Sequence, residues 1–199
     1  MTRACGRLCV FAAACVVIAA CAPARELSRG TLDVAALAAL DAWESRGRVA
    51  LNAEGRGVQA NFLWRQDGPK ARVQLSGPWG VGAEEVLIEG PEAMLRSDGA
   101  WVPMCASPAA PDEMSLLCAG APLNSLPFWL RGLPDPGRPY QENRSPENGV
   151  REFSQAGWRV EVNALARTGP LTVPRRVFIS GPGATLRVAI TNWALTAAP

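Results

Sequence analysis

Apolar residues recur at every second position through much of this chain, and that period constrains the fold more than any other feature. Val49 and Leu51 alternate with Arg48 and Asn52. Val58, Ala60, Phe62 and Trp64 alternate with Gln59, Asn61 and Arg65, Leu63 being the one apolar residue of the outer set. Val73 and Leu75, then Val86 and Ile88, continue the pattern against Arg72, Gln74, Glu85 and Glu89. Late in the chain it returns in Trp158, Val160 and Val162, in Val177 and Ile179, and in Leu186, Val188 and Ile190. Successive side chains of a strand point to opposite faces, so each segment reads as a strand with one apolar and one wet face. At least seven such strands predict an antiparallel sheet. Ser180 to Gly183 supplies a Gly-Pro-Gly hairpin between the last two.

Helical cover is short by comparison. Leu32 to Glu44 predicts an amphipathic helix with Leu32, Ala36, Leu40 and Trp43 on one stripe, Thr31 as its N-cap and Gly47 as its stop. The other helical stretch lies between Pro111 and Gly132, where Asp112 to Cys118 and Leu123 to Arg131 read as two short helices. Pro122 and Pro127 argue against one continuous helix, because a proline inside a helix loses a hydrogen bond and clashes with the preceding turn. Two architectures bury a broad apolar face with so little helix. One is a β-sandwich; the other is a single sheet curled around an apolar hollow with the helices as a partial lid. The period alone does not choose between them.

The start of the chain reads as an export address. Arg3 and Arg7 precede a thirteen-residue apolar or thiol-bearing run from Leu8 to Ala20. That length suits a secretory signal and falls short of the ~20 residues a spanning helix needs. The run ends Ile18-Ala19-Ala20-Cys21, which resembles a bacterial lipoprotein signal. An ordinary signal peptide containing cysteines, as Cys5, Cys9 and Cys15 are contained, is the alternative. The lipoprotein resemblance implies a diacylglyceryl group on Cys21, and Ala22 in place of aspartate implies sorting to the outer membrane. The expected organisation is a signal peptide over 1–20, a lipidated Cys21 with a tether over 21–30, and one domain over 31–199.

Charge and chemistry narrow the function. Of 20 basic and 18 acidic residues, Arg3 and Arg7 lie in the first twenty positions, which hold no acid; the rest is neutral overall. Such a chain has no electrostatic footprint for nucleic acid. Histidine is absent, which removes the serine-protease triad and the HExxH zinc motif. The single lysine, Lys70, is not in a phosphate-binding loop. Ser125 and Asp112 have no histidine or suitably placed lysine to activate them. Glu84 and Glu85 are strand neighbours with carboxylates on opposite faces, a poor arrangement for paired acid–base work. Cys105 and Cys118 fit no zinc spacing. In an oxidising compartment a disulfide between them is the favoured reading, and two buried thiols the other.

Six collinear segments resemble the LolB family of outer-membrane lipoproteins, which receive other lipoproteins from a periplasmic carrier and insert them. They are Ser45-Arg46-Gly47-Arg48, Ala60-Asn61-Phe62-Leu63-Trp64, Gly77-Pro78-Trp79-Gly80, Pro122-Leu123-Asn124-Ser125-Leu126 leading to Trp129, Gly132 and Pro134, then Gly157-Trp158 and Asn192-Trp193. The resemblance implies an open antiparallel β half-barrel with a helical lid over an apolar cavity for acyl chains. It implies that Phe62, Trp64, Val73, Leu75, Ile88, Trp129 and Trp158 line that cavity. For Trp129, a plug holding the lid to the sheet is the other reading. It also gives Trp79 a membrane-inserting role at a turn tip, the alternative being an indole folded back onto the sheet as ordinary core. The implied partners are a LolA-like periplasmic carrier, lipoprotein cargo and the outer membrane, for a monomer anchored facing the periplasm. No enzyme activity is expected, and no cofactor beyond the covalent lipid on Cys21. The sequence departs from the family at Pro127, inside the lid motif, and at Trp79, where leucine is familiar. A half-barrel lipoprotein that binds or senses another amphiphile is the alternative function.

Overall fold

The computed structural model describes residues 30–53, 55–77, 82–90, 92–105, 123–145 and 150–195. The expected signal peptide, Cys21 and most of the tether, together with Trp79, Asp112, Cys118 and the helix expected over 112–118, lie outside them.

Eleven strands among the described residues form one antiparallel sheet. They are β1 (Ala42–Ala53), β2 (Arg56–Asp67), β3 (Lys70–Ser76), β4 (Glu84–Glu89), β5 (Glu92–Ser97), β6 (Ala100–Pro103), β7 (Tyr140–Arg144), β8 (Arg151–Gln155), β9 (Trp158–Thr168), β10 (Leu171–Gly181) and β11 (Ala184–Leu195). The first six and the last five are each a meander, and β1 joins them by pairing with β11. The spatial order runs β6-β5-β4-β3-β2-β1-β11-β10-β9-β8-β7. The sheet is open, since β6 and β7 are its two edges. A sandwich is thereby replaced by the curled-sheet solution.

All seven alternating segments are strands. Beyond those seven, β5 also alternates, burying Ala93 and Leu95, whereas β7 is exposed throughout and β8 buries Arg151, Glu152 and Gln155 as well as Phe153. Polar burial of that kind leaves no hydrophobic period to read.

The helix expected over 32–44 is corrected to α1, Val34–Ala38. Asp33, not Thr31, occupies its N-cap position, and its Oδ2 accepts a 2.6 Å hydrogen bond from the Thr172 amide. Trp43 and Glu44 belong instead to β1, which is paired on both sides. Two ladders of backbone bonds outweigh the marginal stability of a short helix. In β1 the Trp43 ring lies 6.0 Å from that of Trp64 and 5.2 Å from that of Trp193. A bulge puts Trp193 there: opposite Arg46 and Gly47 the β11 partners jump from Asn192 to Ile190, so Thr191 is the extra residue. The inward set therefore changes from even to odd numbers, and the Trp193 indole N–H reaches the Pro174 carbonyl at 2.8 Å.

Gly47, read above as a helix stop, sits in β1 at this bulge. A Cβ there would overlap the Ala189 carbonyl oxygen and press on Phe62 Cε1 at 2.9 Å. Backbone cannot yield as a side-chain tip can. Gly47→Ala is expected to destabilise the fold by about 2–3 kcal/mol, measurable as a lowered urea midpoint; an unchanged midpoint would refute the close approach.

Candidate functional site

Residues 104–139 connect the two edge strands, β6 and β7. Its described part carries a 3-10 turn, Leu123–Ser125, running into a second helix, α2 (Leu126–Leu130). Pro127 falls in the first turn of α2, where its missing N–H would have had no partner in the helix. The departure at Pro127 therefore starts the lid helix and does not kink it. The end is a Schellman-type cap. The Leu133 amide bonds to the Phe128 carbonyl and that of Gly132 to Trp129, with Gly132 at φ 72°.

Between this segment and the first half of the sheet lies a cavity of about 410 Å³. Phe62, Trp64, Val73, Leu75 and Ile88 all line it, and Leu123, Leu126 and Leu130 form its roof. The roof residues recur at the i, i+3, i+7 spacing of one helical face, a signal legible in the sequence beforehand. Met104, just beyond β6, also contributes, as do Val188 and Leu186 from β11. The lining reaches solvent where Gln59 and Gly82 are exposed. Gly77 and Gly82, on either side of residues 78–81, both belong to that end.

Trp129 and Trp158 are corrected: neither lines the cavity. Trp129 is fully buried, its ring 6.3 Å from that of Trp158, and its indole N–H donates to Gln155 Oε1 at 2.9 Å. Trp158 lies flat against Gly181, whose Cβ, if present, would overlap the indole. These rings, with Phe153, Val160 and Val162, are buried under the lid on the second meander. Of the two readings of Trp129, the plug is the one observed.

Polar contacts fasten the lid on that packed side. The Gln155 amide is 2% exposed. Its Oε1 accepts from Trp129 and from the Asp135 amide at 2.8 Å, and its Nε2 donates to the carbonyls of Asp135 at 2.9 Å and Arg138 at 3.0 Å. The amide's donors and acceptor are thus all engaged. Ser125 is buried and donates to Asp135 Oδ2 at 2.7 Å, so the hydroxyl considered above as a nucleophile is a lid fastener. Arg131 reaches across to α1, donating to the carbonyls of Leu37 at 2.7 Å and Leu40 at 3.0 Å. Its guanidinium lies over Phe128 and Trp43 at 5.2 and 5.9 Å. Burial lowers the Arg131 pKa from its ordinary value, against a smaller opposing pull from Asp41, yet a guanidinium stays charged at neutral pH.

The outer face is wet and charge-paired, as the alternation implied. Glu85 meets Arg72 at 3.7 Å and Lys70 meets Glu89 at 3.0 Å. Glu44 accepts from Arg46 and Arg65, both at 2.9 Å, and the Arg46 bond is the main cause of its lowered carboxyl pKa. Glu84, by contrast, faces the cavity, so the two carboxylates do point to opposite faces. Cys105 is disulfide-bonded, with its partner outside the described residues.

A single antiparallel sheet curled under a helical lid, with an apolar hollow between, defines an amphiphile-sized binding fold and shows no paired catalytic groups in the hollow's described lining. A family model described as outer membrane lipoprotein LolB matches residues 41–193. The chain belongs to that family. It is 32% identical over 202 residues to the outer-membrane lipoprotein LolB of Alkalilimnicola ehrlichii, covering 96% of this chain and 98% of that one. With the LolB of Halorhodospira halophila the identity is 34% over 155 residues, covering 76% and 74% of the two chains. Among solved structures, a LolA superfamily protein from Nitrosomonas europaea aligns over 81% of this chain and 89% of its own, at 9% identity and a TM-score of 0.46.

Gln155→Leu would strand the Trp129 and Asp135 N–H groups in the interior. It is expected to destabilise the protein by about 3 kcal/mol, read by urea unfolding. A loss below about 1 kcal/mol would mean the clasp is not what holds the lid.

Proposed function

We propose that this chain is an outer-membrane-anchored receptor that accepts lipoproteins from a LolA-like periplasmic carrier and passes them to the membrane. The observation that carries the reading is the apolar cavity of about 410 Å³ under a clasped lid, in a member of the LolB family. Its size falls in the range of sites that enclose small ligands. Acyl chains need such shelter, because each exposed CH₂ costs about 0.8 kcal/mol in water. Cys21, at the end of the lipoprotein-like signal, carries the anchor in this reading. The domain over 31–199 stands off the membrane on the tether before it. A disulfide between Cys105 and Cys118 braces the crossing segment.

Transfer runs downhill, with the carrier binding acyl chains less tightly than this cavity and the cavity less tightly than the bilayer. Trp79 is assigned to the membrane interface, which suits an indole with its apolar body and polar N–H. In support, the described residues nearest to it in the chain, Gly77 and Gly82, both line the cavity.

The test presents carrier loaded with a lipoprotein to the full chain anchored in vesicles. Cargo is expected to appear in the vesicle bilayer. With Trp79→Glu, cargo is expected to leave the carrier but insertion to fall at least tenfold. Unchanged insertion would remove the role given to Trp79. Cargo that stays on the carrier would mean the cavity serves another amphiphile.

A further inference from the structure

Glu84 is the one ionisable residue among the described residues lining the cavity. Its place on β4 has the same parity as Val86 and Ile88, and it pairs across the ladder with Leu75, another lining residue. Its neighbour Glu85 points the other way and meets Arg72. No ion pair joins Glu84 to a cation among the described residues, and no lysine or arginine lines the hollow. The connecting segments 78–81 and 106–122 contain no lysine or arginine either; their only charged residues are the acids Asp112 and Glu113. Ser76, Gly77, Gly82 and the exposed Gln59 share the solvent-reaching end with Glu84. Among the described residues, an otherwise apolar lining therefore has one carboxylate and a few uncharged polar groups at its mouth.

We propose that Glu84 is a specificity residue that rejects amphiphiles bearing an anion next to the acyl chains. The proposal rests on the acyl-binding reading above and adds a headgroup preference to it. A chain seated in the hollow brings its headgroup to the mouth. A carboxylate or phosphate there meets Glu84 with no cation among the described lining residues to offset the repulsion. The peptide N–H groups that follow a lipidated N-terminal residue instead offer donors to the Glu84 oxygens. Hydrogen bonds to an ionised acceptor are stronger than neutral ones. The filter thus separates lipoproteins from the anionic lipids that surround the receptor.

The experiment uses the full chain anchored in phosphatidylcholine vesicles and three diazirine-bearing probes: a monoacylglycerol, a fatty acid and a lysophosphatidylglycerol. Photolabelling of peptides containing residues 58–64 or 186–188 is read by mass spectrometry, as the ratio of each anionic probe to the neutral one. Glu84→Gln is expected to raise both ratios about tenfold, the order of one like charge removed from a partly solvated site a few ångströms away. Glu84→Lys should raise them further, and Glu85→Gln should leave them as they are. A rise with only one of the two anionic probes identifies whether carboxylate or phosphate is the headgroup excluded. Ratios unchanged in Glu84→Gln and Glu84→Lys overturn the filter while leaving acyl binding intact. An equal rise in Glu85→Gln overturns it as well, by making the effect one of net charge. Absence of labelling at these peptides by every probe overturns the acyl-binding reading and the filter together.

Discussion

The pairing of β1 with β11 is the constraint from which the other features follow. It fuses two meanders side by side and sends β6 and β7, neighbours in sequence, to opposite edges of an eleven-stranded sheet. The chain between them must then connect the two edges, and its described helical part, Leu123–Leu130, roofs the apolar face of the first meander. A sandwich would have needed a second sheet; here one connection does the covering. Gly47 and the Thr191 bulge lie within this pairing, where the strands come closest and the inward side of β11 changes parity. Trp193 reaches the Trp43 ring through that change.

The lid meets the sheet in two different ways. Over the second meander it is held by directional bonds, Trp129 and Asp135 to Gln155, Ser125 to Asp135 and Arg131 to α1. Over the first meander Leu123, Leu126 and Leu130 line the hollow. An unfilled apolar space forfeits dispersion contacts, so its walls tend to collapse. The clasp on one side sets the height of the roof on the other and opposes that collapse.

Much of the site was legible along the chain. Period-two alternation located seven strands and set the inward side of Phe62, Trp64, Val73, Leu75 and Ile88, because the pleat leaves no other choice. Trp129 and Trp158 were misplaced for the complementary reason. An inward side chain faces the interior, but whether that interior is hollow or filled depends on what another segment brings. Trp158 is covered by Gly181 and Trp129, and neither contact has a local signature. The start of β1 was likewise hidden, since Trp43 fits a helical stripe until its two partner strands are known. The strands β7 and β8 gave no apolar period, one being exposed and the other burying charges and an amide.

What the sequence determined alone was the local rule: which segments are strands, which side of each is apolar, where proline starts a helix and where a glycine ends one. Those depend on backbone sterics and side-chain alternation within a few residues. Tertiary structure decided the order of the strands, the crossing of the lid and the division of the interior into a packed half and a hollow half. Those depend on contacts such as Ser45 with Trp193, Arg131 with Leu37 and Trp129 with Gln155, between residues far apart in the chain. The same division turned Glu84 from one of two neighbouring acids into the only charge at the mouth of the described cavity lining. Strand parity turned it inward, but only the assembled lid and sheet made that inward side a hollow.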